Sequence, residues 1–167
     1  MSVDWAEVYR TTFEDLVRFL HRKVWDADRA KDLAQEVFVR ALDHRPDNPK
    51  AWLFTVASNL ARDEARTAIR RRKHLTLLKS EVAGQSAPDP AEELDREQRM
   101  EQVREALNRL SERDRDVLLL WDAGLDYGEI AAETGLSKGA VGTTLGRARR
   151  RLVEAYGALE DKDVAHR

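Results

Sequence analysis

The sequence predicts an all-α protein in which two small helical domains are joined by a flexible linker. The chain contains no long alternation of apolar and polar residues, which is the pattern of a half-buried strand. Its four prolines fall in two short segments, Pro46/Pro49 and Pro88/Pro90, and no glycine precedes Gly84. Because proline interrupts helices and glycine weakens them, we expect long helices outside these segments.

Three amphipathic helices are predicted before the second proline segment. The first ends near Trp25, the second spans about 28–42, and the third begins near Lys50 after a loop at 44–49. Apolar residues recur along each of them at the three- to four-residue spacing of one buried helix face. Three such helices with short joints form a small bundle.

A second helical module is predicted after the small, polar and proline-marked stretch 82–91, which has the composition of a linker. Helix resumes near Met100, and Ser111 can cap a further helix that stops at Gly124. Each module is at the small end of independent stability and therefore needs an intact core.

The C-terminal module contains the sequence pattern of a helix-turn-helix. Asp126 and Glu129 have the spacing of a capping box that opens a short helix, and Gly135 stops it. Ser137 can cap the next helix, in which Val141 is an apolar anchor. In such a motif the second helix lies in the major groove of DNA, with its N-terminal residues nearest the bases.

The charge is distributed as basic, acidic, basic along the chain, although the net charge is only −2. Residues 62–74 carry six basic and two acidic side chains, and residues 81–101 carry seven acidic side chains and two arginines. Residues 137–152, which include the predicted reader helix, carry five basic side chains and no acid. This pattern favours DNA contact there, and the alternative is a helical hairpin whose basic face is only solvated.

Composition excludes several classes of protein. The chain lacks cysteine, which excludes disulfides and thiolate metal sites, and its four histidines are widely scattered, so we expect no metal and no cofactor. The N-terminus lacks a secretory signal, and the composition is far from that of a membrane span. We expect a cytoplasmic protein without membrane insertion.

Two further surfaces are candidates for binding. The outward face of the second helix is either an ordinary solvated face or a docking surface for another protein. A polar stripe on the third helix, which runs into the basic residues 70–73, can follow a nucleic-acid backbone. Trp52, near the start of that helix, either shapes a pocket for an unstacked base or belongs to the core.

Four segments of the chain together resemble one family. They are residues 32–41 (DLAQEVFVRA), 51–66 (AWLFTVASNLARDEAR), 110–120 (LSERDRDVLLL) and 129–152, which begins EIAA and ends RARRRL. In this order they are similar to bacterial sigma factors of the extracytoplasmic-function (ECF) group of the sigma-70 family.

The resemblance implies an initiation factor that gives core RNA polymerase its promoter specificity and is not an enzyme. It divides the chain into a region 2-like domain (1–79), an acidic linker in the RNA exit channel (80–95), a region 4-like domain (96–160) and a tail (161–167). Its implied partners are the clamp helices and flap of core polymerase, promoter DNA, and an anti-sigma factor that holds the protein inactive.

The resemblance also assigns residues to three surfaces, with no catalytic and no metal residues. The surface for core polymerase comprises Asp32, Gln35, Glu36, Val39 and Arg40. The surface that melts and reads the −10 element comprises Lys50, Trp52, Asn59, Arg62, Asp63, Arg66 and Arg70. The surface that reads the −35 element comprises Ser137, Lys138, Thr143, Thr144, Arg147 and Arg150.

The predicted reader helix departs from the family pattern at its glycines. Gly142 stands where family members often have a long basic side chain, and Gly139 and Gly146 weaken the helix further, by about 1 kcal/mol each relative to alanine. Close approach of the backbone to DNA is one explanation for these glycines, and a helix that becomes firm on binding is another.

Two alternative functions remain from the sequence. One is a helix-turn-helix repressor or activator that binds a palindromic site unaided. The other is a helical hydrolase that uses Asp63, Glu64 and a histidine. Neighbouring residues on a helix point about 100° apart, so Asp63 and Glu64 cannot act as a facing pair.

Overall fold

The computed structural model describes residues 2–75 and 90–165, without the side chains of residues 68–75 and 163. This part of the chain folds into seven α-helices and contains no strand, which confirms the all-α prediction. The helices are α1 (Trp5–Val24), α2 (Ala27–Ala41), α3 (Pro49–Leu75), α4 (Pro90–Asn108), α5 (Glu112–Asp122), α6 (Tyr127–Thr134) and α7 (Lys138–Ala165).

Short polar side chains and prolines fix where the helices begin. The Asp4 carboxylate accepts a hydrogen bond from the third residue of α1, and the Asp26 carboxylate accepts two from the first turn of α2. Pro49 and Pro90 each occupy the first position of a helix, where the missing N–H has no partner to lose. Each proline is therefore the first residue of its helix.

Two helices are longer than the sequence pattern indicated. Because α4 begins at Pro90, residues 90–95 of the predicted linker are helical, while residues 80–89 of that linker lie outside the described residues. Helix α7 continues to Ala165, so residues 161–165 of the predicted tail belong to the same helix that carries the basic run.

The first domain is a bundle of α1, α2 and α3 around one apolar core. Leu16 and Leu20 of α1 are fully buried, as are Leu53 and Phe54 of α3. The rings of Phe19 and Phe54 meet edge to face with centroids 5.2 Å apart, which is a favourable aromatic geometry.

An ion pair joins α2 to α3 on the side of this bundle. The Arg29 guanidinium donates two hydrogen bonds to the Glu64 carboxylate, at 2.8 Å and 2.7 Å, in a bidentate geometry. Glu64 is therefore used to hold two helices together, which further weakens the sequence-based case for a hydrolase built on this residue.

The second domain packs α4, α5 and α6 against the long helix α7. Its core contains Val117, Leu120, Ile130, Val141 and Leu145, each at most 1% exposed. The two domains also touch, because α6 packs on α3 and α5 packs on α1. Buried apolar side chains of both domains belong to one continuous cluster.

Candidate nucleic-acid interface

The helix-turn-helix is formed by α6, a tight turn and α7. The Asp126 carboxylate accepts a hydrogen bond from the N–H of Glu129 at 2.8 Å, and the Glu129 carboxylate accepts one from the N–H of Asp126 at 3.0 Å. This is the predicted capping box. Gly135 ends α6 with φ of 78°, a left-handed conformation that favours glycine. The Ser137 hydroxyl then caps α7 by accepting from the N–H of Ala140 at 3.2 Å.

The outward face of α7 has the exposed side chains that the reader helix requires. Lys138, Thr143 and Arg150 are all exposed, and no acidic residue lies between Lys138 and Val153. The Thr143 hydroxyl donates to the Gly139 carbonyl at 3.2 Å, which leaves the lone pairs of its oxygen free to accept. This face therefore presents donors and positive charge to the phosphates and base edges of a groove.

Thr144 lies elsewhere than the sequence reasoning placed it. Its side chain is only 6% exposed, so it packs inside the domain and does not lie on the outward face of α7. Its position explains the difference, because it is three residues after Val141 and four before Ala148, both of which are fully buried. Thr144 thus belongs to the apolar stripe, and we remove it from the candidate −35 surface.

Arg147 is held by a buried acid that the sequence reasoning did not single out. The Asp114 side chain, on the first turn of α5, is fully buried. It accepts a hydrogen bond from Arg147 Nη2 at 2.8 Å and another from Arg151 Nη1 at 2.9 Å. The Arg147 hydrogen bond, assisted by Arg151, holds the pKa of the Asp114 carboxyl below its ordinary value despite burial.

This ion-pair cluster ties the reader helix to α5. Asp114 lies three residues before Val117 and six before Leu120, on the buried face of α5, and an acid in that position was the available sequence signal. Because the Arg147 guanidinium points back into the domain, its first role is to fix the orientation of α7.

The glycine at position 142 faces another helix of the domain. A Cβ built there lies 3.3 Å from Cε2 of Tyr127, at the start of α6, which is tighter than an ordinary contact. By contrast, a Cβ at Gly139 or Gly146 meets nothing within 4 Å. Gly142 therefore allows α6 and α7 to cross closely. Close approach of the backbone to DNA stays an explanation for Gly139 and Gly146 only.

The candidate −10 surface lies along one side of α3. Asn59, Arg62, Asp63 and Arg66 are exposed on it, and Arg62 Nη1 lies 3.5 Å from the Asn59 side-chain oxygen. Arg70 lies among the residues whose side chains are not described. The four described side chains form a continuous polar stripe of the kind that follows a nucleic-acid strand.

Lys50 and Trp52, at the start of α3, have partners that the sequence did not indicate. Lys50 Nζ donates to the carbonyl of Gly124 in the second domain at 2.8 Å. Trp52 is partly buried between His44, whose ring centroid is 4.9 Å away, and Trp5, at 6.1 Å. The tryptophan therefore packs on the core and also borders the 44–49 loop, so both roles considered for it share one position.

Two family models match the chain, one in each domain. The model described as Sigma-70 region 2 matches residues 8–73, and the model described as Sigma-70, region 4 matches residues 100–152. RNA polymerase sigma factor YlaC of Bacillus subtilis (strain 168) is 31% identical over 87% of this chain and 88% of its own length. The chain belongs to the sigma-70 family of RNA polymerase sigma factors. It is a transcription-initiation factor of the ECF type.

Further relatives and solved structures agree with this assignment. ECF RNA polymerase sigma factor SigL of Mycobacterium tuberculosis (strain H37Rv) is 35% identical over 82% of the chain and 80% of its own length. Among solved structures, CnrH in complex with the cytosolic domain of CnrY has a TM-score of 0.62 at 27% identity, covering 95% of this chain and 88% of that one. RpoE in complex with the anti-sigma factor NepR, from Bartonella quintana, has a TM-score of 0.61 at 25% identity, covering 91% and 96%.

A third candidate surface of the sigma factor lies on α2. All five residues expected to contact polymerase are exposed: Asp32, Gln35, Glu36, Val39 and Arg40. Val39 is 65% exposed, and Leu42 beside it at the end of the helix is 68% exposed. Arg40 donates to the Glu36 carboxylate at 2.8 Å, so an apolar spot is bordered by a paired charge. Such a mixed surface is typical of the centre and rim of a protein interface.

The described helices include none that is both long enough and apolar enough to cross a membrane. Within the same residues, no cluster of three or more histidine, aspartate or glutamate side chains is arranged to hold a metal ion.

Proposed function

We propose that this sigma factor directs core RNA polymerase to promoters in which α7 reads the −35 element and α3 melts and reads the −10 element. One observation carries the −35 part. As the second helix of a complete helix-turn-helix, α7 presents an acid-free face on which Lys138, Thr143 and Arg150 are exposed. Ser137 and Arg147 support this reading, the first by capping α7 and the second by orienting it.

The −10 element is bound by the polar stripe of α3 and the loop before it. Arg62 and Arg66 contact phosphates of the displaced strand, while Asn59 and Asp63 reach base edges. Lys50, Trp52 and Arg70 complete this surface at its two ends, and Trp52 offers a ring face on which an unstacked base can pack.

Core polymerase docks on the exposed face of α2, around Val39. An anti-sigma factor covers the same surfaces when the protein is held inactive. The support is chemical, because the exposed Val39 and Leu42 gain from burial by a partner. It is also comparative, because one of the structures described above contains the sigma factor RpoE bound to the anti-sigma factor NepR.

The test is run-off transcription from a pool of random promoter sequences, with bacterial core polymerase in the presence and absence of this protein. We expect discrete transcripts that require the protein and share a −35 and −10 pair upstream. If core polymerase initiates equally without it, while the protein alone selects a palindromic duplex, the sigma mechanism is refuted and a repressor replaces it.

A pair of variants then tests the −35 surface on the promoter so found. Arg150→Ala should lower transcription from the intact promoter several-fold and have no effect when the −35 element is scrambled, because one phosphate or base contact is lost. Arg99→Ala, an exposed arginine of α4, is the matched control and should leave both promoters unchanged. Equal losses in the two variants would count against α7 as the reader.

A further inference from the structure

Two hydrogen bonds hold one edge of the Arg147 guanidinium against the interior of the second domain. Arg147 Nη2 donates to Asp114 Oδ1 at 2.8 Å, and Arg147 Nε donates to Asp114 Oδ2 at 3.4 Å. The accepting side chain is fully buried, and the backbone N–H of Asp114 donates to the Ser111 hydroxyl at 3.1 Å. A two-point contact of this kind fixes the plane of a guanidinium as well as its distance from the carboxylate.

The opposite edge of the same guanidinium faces away from the carboxylate. Both hydrogen bonds to Asp114 use the edge formed by Nε and Nη2, whereas the edge formed by Nη1 and Nη2 carries two further N–H donors that lie parallel to each other. The Arg147 side chain is 41% exposed although its acceptor is buried. Two parallel donors in one plane match the O6 and N7 acceptors that guanine presents in the major groove.

Short side chains lie beside Arg147 on the outward face of α7. Thr143 is one helical turn before it, and Gly146 is its neighbour in the chain. A Cβ built at Gly139 or at Gly146 meets nothing within 4 Å, so this part of the face is open as well as shallow. A base edge can therefore approach the helix closely enough to meet a guanidinium that is held back by Asp114.

We propose that Asp114 is a positioning residue for promoter recognition, which holds Arg147 so that the outer edge of its guanidinium contacts a guanine of the −35 element. Asp114 does not touch DNA and acts through Arg147. The inference rests on the proposed function, because it requires α7 to lie in the major groove at −35. It adds a buried acid of α5 to the residues that determine specificity, and it names the base that Arg147 contacts.

The ion pair with Asp114 favours contact with a base over contact with a phosphate. An arginine without a partner loses rotamer freedom when it binds, whereas Arg147 has already lost that freedom on folding. The neighbouring carboxylate also offsets the positive charge of Arg147, which weakens its attraction to a phosphate but leaves its directional hydrogen bonds to guanine. Arg150, which is exposed and lies on the same face, is the better phosphate contact.

Run-off transcription with core polymerase, from promoters in which each −35 base pair is varied in turn, tests this inference. We expect the parent to prefer a G·C pair at one position by about ten-fold, and Arg147→Ala to lower that preference to about two-fold. Asp114→Asn should lower the preference at the same position and at no other, and the double variant should be no worse than either single one. A general loss of structure would instead weaken recognition at all positions together.

Two further variants keep the test independent of how well Asp114→Asn folds. Arg147→Lys keeps a positive charge opposite Asp114 but has no second fixed edge, so it should lose the guanine preference as Arg147→Ala does. Arg151→Ala removes the other hydrogen bond to Asp114, at 2.9 Å, and should keep the preference because Arg147 is still held. An Arg147→Lys chain that retains the preference, or an Arg151→Ala chain that loses it, overturns the inference.

A measurement without polymerase or DNA separates this inference from the proposed function. In NMR spectra of the free, isotope-labelled chain, the Nε–H of Arg147 should exchange with water more slowly than that of the exposed Arg150, and Asp114→Asn should abolish the difference. Equal exchange in the parent overturns the holding of Arg147 by Asp114. If core polymerase initiates equally without the parent protein, the sigma mechanism fails while the NMR result stands. If the parent selects promoters and Asp114→Asn keeps its preference at every −35 position, this inference alone fails.

Discussion

Replacing Asp114 by asparagine removes a buried negative charge from the point where α5 meets the reader helix. The side chain keeps its shape and can still accept one hydrogen bond, but both guanidinium groups lose their ionic partner. Breaking a buried ion pair by removing one partner costs about 3–5 kcal/mol. The loss here is smaller, because the side chains of Arg147 and Arg151 are 41% and 54% exposed and regain water.

We therefore expect the Asp114→Asn substitution to lower the free energy of unfolding of the second domain by about 2–3 kcal/mol. For a domain of this size that corresponds to a fall in Tm of about 10–20 °C. Hydrogen exchange measured by mass spectrometry on the full chain localises the effect, since amides of α5 and α7 should lose protection and those of α1 and α2 should not.

The pH dependence of the stability difference between the parent and the Asp114→Asn variant provides a second check. The pKa of Asp114 is lowered in the folded protein, so its contribution to stability is present above the ordinary aspartate value, about 3.9, and is lost as the pH falls through the lower folded value. The stability gap between parent and variant should be constant from neutral pH to about pH 5 and shrink below about pH 4.

A matched substitution separates this effect from a general loss of negative charge. Glu154→Gln, at an exposed glutamate of α7, should change the free energy of unfolding by less than about 0.5 kcal/mol. The reasoning about Asp114 fails if its variant loses less than about 1 kcal/mol, or if protection falls equally in both domains.

Three further predictions follow from the other contacts. Gly142→Ala should keep the preference for an intact −35 element within two-fold in run-off transcription, because its Cβ faces α6. Gly146→Ala should reduce that preference more. The reverse order would show that position 142 is the one where the backbone approaches DNA closely. Glu64→Gln should lower the free energy of unfolding of the first domain by about 1–2 kcal/mol in urea titration, through loss of the bidentate pair with Arg29, without changing promoter choice. Since burial raises the pKa of the Glu133 carboxyl in the folded chain, its contribution to the free energy of unfolding should grow as the pH falls from neutral toward the ordinary glutamate value. Glu133→Gln should flatten that dependence in urea titration, and an unchanged slope would exclude this carboxyl.

The sequence was sufficient for those features that depend on near neighbours. Helix period, the capping box at Asp126 and the turn at Gly135 are local, and each was predicted at its observed place. The start of α4 was placed too late, because a proline at the first helical position resembles a proline that ends a helix. The family was likewise recognisable, because its motifs are contiguous segments of sequence.

The sequence was insufficient to predict the contacts of a side chain whose partner lies far away along the chain. Thr144 and Arg147 both read as surface residues of a basic helix, and the structure buries the first and pairs the second with Asp114. For Thr144 and Asp114 the apolar spacing held a usable signal, since each lies on the buried stripe of its helix. For Lys50 there was none, because its bond to Gly124 depends on how two separately predicted domains meet.

The contact between the two domains also affects how a chain of net charge −2 binds DNA. In the structure, cations of the first domain face acids of the second, as Lys23 faces Asp116 and Arg62 faces Glu112. The Arg62 pair is long and exposed and is worth at most about 1 kcal/mol, so in the proposed mechanism a DNA phosphate can readily replace Glu112 as its partner. The affinity of the α3 surface for DNA should therefore be sensitive to salt.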